Sequence, residues 1–151
     1  MGVLRRIRRL RRREAVLLGQ ALGAVLLARA HLWRGAHRDL RRLIESHPVP
    51  DPAAAVPRAD LAEIAWSVRT AARLVPGATC LTQASAGQLL LARRGLATTI
   101  RLSVPGQAAE PGRLAPHAWL MAGNTIVLGG TAEDYGRHRP LHDFTLPGAG
   151  P

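Results

Sequence analysis

Lysine is missing from these 151 residues: all 21 basic side chains are arginine, set against 10 acids. With abundant Ala, Gly and Leu, that absence reads as codon bias, and no mechanism is attached to it. Cysteine occurs once, at Cys80. One thiol excludes a disulfide framework within the chain and any cysteine-rich zinc site, so a reducing cytoplasm is the simplest home. Aromatic residues are only 3% of the chain, and none is interleaved with the seven arginines of the first 13 residues. Those arginines could attract phosphates in a salt-sensitive way, but without stacking side chains or a known module, dedicated nucleic-acid recognition is not expected.

What is present bounds the class. Apolar residues are 47% of the chain, which rules out a wholly disordered polypeptide, and the length suits one domain rather than two. The net charge of +11 is lopsided. Residues 1–47 hold 12 arginines against three acids, while the other 104 residues hold nine against seven, so the basic character belongs to the N-terminal part.

That part begins GVLRRIRRLRRRE, in which Leu4, Ile7 and Leu10 recur every third residue. Leu17, Ala21, Val25, Ala28 and Leu32 continue the same stripe, as one long amphipathic helix or two in series would. A secretory signal peptide would show the basic start, the apolar run and the small-residue site Ala28-Arg29-Ala30. Against it, the basic region is long, and Gln20 and two glycines interrupt the run. A transmembrane helix expects about 18 uninterrupted apolar residues, more than this run offers. The reading that remains is a helix packed on the domain, its arginine end facing solvent, an acidic partner or anionic lipid headgroups.

A second helical segment runs Leu32 to Glu45, with Leu32, Ala36, Leu40, Leu43 and Ile44 at helical spacing. HPVPDPAAAVP, residues 47–57, holds four prolines and reads as a linker. Asp60 can cap a third helix through Val75, with Leu61, Ile64, Ala65, Val68, Ala72 and Val75 on one face. Trp66 and Arg69 lie off that stripe, with Trp66 as a packing residue. The expected division is a basic helical arm over 1–46, the linker over 47–57 and a core over 58–147.

The stretch PGATCLTQASAGQLLLARRG, from Pro76 to Gly95, carries the chemistry. Pro76 and Gly77 break one helix, Thr79 can cap the next, and Gly95 ends it. Cys80 then sits in the first turn, where unpaired N–H groups and the helix dipole favour the thiolate. A lone cysteine is otherwise an inert small hydrophobe, and both readings stand on this stretch alone. The Cys80 N–H would be the first oxyanion donor, and Gln83 is a conceivable second, or else a solvent-facing helix former.

After Gly95 the period becomes two, with Leu96, Thr98, Ile100, Leu102 and Val104 alternating with Ala97, Thr99, Arg101 and Ser103 as in a half-buried strand. A Pro- and Gly-bearing loop leads to HAWLM, and a turn at Gly123-Asn124 returns through Thr125 to Leu128 as a hairpin. The tail has irregular spacing, with Tyr135, Leu141 and Phe144 as anchors and a frayed end. His138 and His142 have i, i+4 spacing, but Pro140 between them argues against a metal-binding helix, and no metal or cofactor is expected. His117 opens the first strand of the hairpin. A helix bearing Cys80 across a sheet bearing His117 can bring thiol and imidazole together for acyl transfer, although many ordinary domains contain a Cys and a His at such spacing.

TCLTQASAGQLLLARRG, then a strand, a loop and HAWLMAGNTIVLGG, resembles the transglutaminase-like leader peptidases of lasso-peptide biosynthesis and is similar to the C-terminal half of the pathway's microcin-processing protein. The resemblance spans Pro76 to Phe144, and the arginine-rich start with its proline-rich join looks like the standalone form. It implies an α+β fold with a papain/transglutaminase-like core, the Cys-bearing helix packed on a small antiparallel sheet and preceded by N-terminal helices. By position it puts the nucleophile on Cys80 and the general base on His117. The family's third member, an Asp about a dozen residues past the His, falls here on Gly129, and Asp134 and Asn124 are the nearest substitutes by sequence. An acid two residues after the Trp is replaced by Met121. The implied activity is removal of the leader from a ribosomally made precursor, and the implied partners are that precursor, a separate leader-recognition protein and a lasso cyclase. The site is cytoplasmic, with peripheral membrane contact through the arginines left open. An acyltransferase or transglutaminase on the same dyad, and a non-catalytic scaffold, are the rival readings.

Overall fold

The structure, a computed structural model, describes residues 10–106 and 116–146. The expected features at Leu4 and Ile7, in the loop over 107–115 and at the C-terminal end lie outside the described residues.

Helix α1 spans Arg12–Trp33, α2 His37–Glu45, α3 Arg58–Ala72 and α4 Cys80–Arg93. Strands β1 (Thr99–Pro105), β2 (His117–Ala122) and β3 (Thr125–Leu128) follow, then the short helix α5 (Ala132–Gly136) and strand β4 (His138–Thr145). The sheet is antiparallel throughout in the order β3-β2-β1-β4. Helices on one face of an antiparallel sheet make this an α+β fold, as expected.

The apolar stripe of α1 is buried as its spacing predicts: Ala21, Val25 and Ala28 have no exposure, and the helix packs on α3 and α4. By length and composition α1 could also cross a membrane. One hydrophobic cluster takes in Leu18 and Val25 of α1, Leu40 and Ile44 of α2, Val68 of α3, Leu89 and Leu91 of α4, and Ile100, Leu120 and Leu128 of the sheet. Packing thus runs across the Pro-rich segment 47–57, and the N-terminal helices form part of the same core as the residues that follow it.

Several boundaries differ from the expectation, each for a local reason. Leu32 belongs to α1, because the break falls at Gly35, and α2 starts at His37. Pro57 stands at the start of α3, while Asp60 lies in the first turn and pairs with Arg94. Ala71 is buried beside Ala65 in that helix while Ala72 is only partly so, and Trp66 is 39% exposed. The irregular tail forms α5 and the eight-residue β4, which pairs with β1 along its length. A register shift between Leu102 and Ser103 leaves Leu141 unpaired and 63% exposed, so Leu141 is no anchor, whereas Tyr135 and Phe144 are half-buried.

Helix α4 lies close on the sheet because Gly87 has no side chain. A Cβ there would stand 2.7 Å from Leu120 and 2.8 Å from Leu128, so the glycine sets the spacing between the layers. Gln88, buried one residue on, donates from Nε2 to the carbonyls of Thr98 (2.9 Å) and Phe144 (3.2 Å) and so ties the helix to the residue that leads into β1 and to β4.

Candidate active site

Cys80 is the first residue of α4, as the sequence indicates. Thr79 caps the helix, its hydroxyl accepting from the Thr82 N–H at 3.2 Å, with the Thr82 hydroxyl 3.1 Å away. The turn before it is braced from α1: Arg29 donates from Nε to the Pro76 carbonyl at 3.4 Å, and its guanidinium lies against Gly77. The thiol is free and half-buried at the edge of the core. Among the described residues no acceptor takes the Cys80 N–H, which leaves this first-turn donor free for a developing oxyanion. Gln83 is half-buried and makes no side-chain hydrogen bond there.

Helix α4 packs on β2, with Gly87 against Leu120, and Gln88 anchors it at Thr98 just before β1.

His117 is half-buried, and its Nε2 lies 2.6 Å from the Gly129 carbonyl oxygen. A carbonyl only accepts, so Nε2 carries the hydrogen of the neutral ring and Nδ1 keeps a lone pair. By strand alternation His117 shares a face with Trp119, the two rings 4.5 Å apart edge to face, while Leu120 turns toward α4. No hydrogen bond joins Cys80 to His117, whose ring lies on the sheet face opposite the one that α4 covers. Trp119 is fully buried and donates to the Ser103 hydroxyl at 2.7 Å, with Tyr135 and His138 against its ring at 5.2 Å and 5.4 Å. Arg101 grips Asp143 through Nε (2.8 Å) and Nη2 (2.6 Å) and reaches the Tyr135 hydroxyl with Nη1. That fork holds the Asp143 carboxyl below its ordinary range, and the same bonds to Asp143 and then Tyr135 raise the Arg101 guanidinium.

Asp134 does not hold the ring. Its carboxylate accepts from the Thr131 N–H (3.2 Å) and hydroxyl (2.7 Å) in a capping box at the start of α5, and those bonds lower its pKa. Asn124 sits exposed in the β2–β3 turn. The Gly129 carbonyl was the group that side-chain reasoning missed, since a backbone acceptor leaves no residue type to recognise. His138 lies on strand β4 with its ring 5.8 Å from His117, and His142 packs its ring on Phe144 at 4.5 Å. An apolar pocket of about 90 Å³ opens beside Leu81, lined by Leu32, Leu40, Ile44, Ile100 and Phe144 with Arg41 at its side.

No curated protein and no solved structure matches the chain. The family model described as transglutaminase-like superfamily matches residues 21–142, so the likeness begins in α1, well before Pro76. Members of that superfamily are typically cysteine-dependent enzymes. By this match over most of its length, the chain belongs to the transglutaminase-like superfamily.

Proposed function

We propose that the chain is a cytoplasmic cysteine peptidase that removes the leader from a lasso-type ribosomally made precursor peptide, with Cys80 as nucleophile and His117 as general base. The observation that carries the reading is the hydrogen bond from His117 Nε2 to Gly129, which leaves Nδ1 as a proton acceptor, alongside Cys80 in the capped first turn of α4. The resemblance of TCLTQASAGQ and HAWLMAGNTIVLGG to the lasso leader peptidases supplies the substrate class. In this reading the Cys80–His117 pair forms in the substrate complex.

The chemistry balances as a two-step acyl transfer. His117 Nδ1 takes the thiol proton, Cys80 Sγ bonds to the scissile carbonyl carbon, and the carbonyl electrons move onto oxygen beside the Cys80 N–H. Collapse breaks the C–N bond, and His117 gives its proton to the leaving amine, which becomes the new N-terminus of the core peptide. Water then attacks the thioester as His117 takes its proton, the C–S bond breaks, the Cys80 sulfur recovers a proton from His117, and the leader leaves with a free carboxylate. A separate leader-recognition protein presents the precursor, and a lasso cyclase takes the product. The arginine-rich N-terminal helices dock the partner, an acidic leader or anionic lipid.

Cys80→Ala tests the reading: leader removal from the precursor, followed by mass spectrometry, should fail while folding is kept. Unchanged cleavage would leave the chain a scaffold. An acyltransferase on the same dyad, favoured by the superfamily's name, would give an amide adduct in place of the hydrolysed leader when an amine is supplied.

A further inference from the structure

We infer that the backbone carbonyl of Gly129 is the group that orients His117 in this chain, where a side-chain carboxylate would otherwise stand, and that Trp119 is the positioning residue that reserves this place for backbone. The inference rests on the reading of His117 as the base. A carbonyl fixes the same tautomer as a carboxylate, with hydrogen on Nε2 and a lone pair on Nδ1. It supplies a dipole instead of a full negative charge.

The structure gives a steric reason for the exchange. Gly129 has φ +125°, a backbone conformation that side-chain-bearing residues rarely adopt. A Cβ there would stand 2.7 Å from Trp119 Cε3, 3.2 Å from Trp119 Cα and 3.1 Å from the Ala118 carbonyl oxygen. None of these atoms is the free end of a flexible chain. At Gly130, φ +150°, a Cβ would again meet the indole, 3.3 Å from Cζ3. The indole cannot withdraw, because it is fully buried and its N–H is held by the Ser103 hydroxyl. An aspartate at position 129 would have to dislodge Trp119. With the indole in place, the turn lies flat on it and its carbonyl faces the imidazole at 2.6 Å.

The test is the histidine tautomer. A long-range nitrogen-proton NMR spectrum of the full chain, with His117 assigned through His117→Gln, should show the neutral ring carrying hydrogen on Nε2. Gly129→Ala should mix the tautomers and lower kcat for leader cleavage about 100-fold with little change in KM, the cost of a base misplaced by roughly 1 Å. Should Gly129→Ala fail to fold, Ser103→Ala releases the indole without touching the turn and should shift the tautomer in the same direction by less. A wild-type ring with hydrogen on Nδ1, or a tautomer that neither variant moves, overturns the inference. An inactive wild-type chain whose ring carries hydrogen on Nε2 would sink the peptidase reading alone and leave the positioning role standing.

Discussion

Trp119 and Ser103 meet 2.7 Å apart in the interior, the indole N–H donating to a hydroxyl on the neighbouring strand, on the sheet face that also carries His117. Ser103 is opposite His117 in the β1–β2 register, so one short stretch of two strands sets the indole, the imidazole and the glycine turn against each other.

Removing that acceptor should be costly out of proportion to the change in size. Ser103→Ala leaves the Trp119 N–H buried without a partner, and a buried unsatisfied donor costs about 1–3 kcal/mol. Urea unfolding should show a loss in this range with an unchanged slope, and Ser103→Thr should recover part of it.

Arg29 acts on the start of α4 from a distance in sequence. It braces the Pro76–Gly77 turn that leads into the Thr79 cap. Arg29→Ala should slow alkylation of Cys80 by iodoacetamide about 3- to 10-fold, since the turn loosens and a nearby positive charge is lost. Arg29→Lys should sit between the two. Equal rates for all three chains would show that the brace has no bearing on the thiol.

The Arg101–Asp143 pair predicts the acid side of the stability profile. Asp143 has a carboxyl pKa lowered from 3.8 by the Arg101 fork, so the folded state binds its proton less readily than the unfolded one. The stabilisation is fully present above pH 3.8 and is lost as pH falls through the lower folded value. Both side chains are about one-third exposed, which limits the pair to about 0.2–1 kcal/mol. Asp143→Asn should therefore be less stable than the wild type at pH 6, and the gap should narrow steadily toward pH 2 in chemical unfolding.

The sequence by itself determined the local pieces whose cause is local. Pro76, Gly77 and Thr79 start α4 and put Cys80 in its first turn; the stripe from Leu17 to Leu32 tells which side of α1 is buried; Gly123-Asn124 turns the β2–β3 hairpin. Each follows from a cap, a period or a turn residue that acts within a few positions of itself. Only the tertiary structure decided that α1 shares its core with α4, that the tail returns as β4 beside β1, and that His117 rests on a glycine carbonyl. Strand β4 has no apolar alternation because most of it is exposed, and it is held by backbone bonds that any residue can make. The same reason hides the partner of His117: backbone acceptors are identical at every position, so the fold alone selects which one meets the ring.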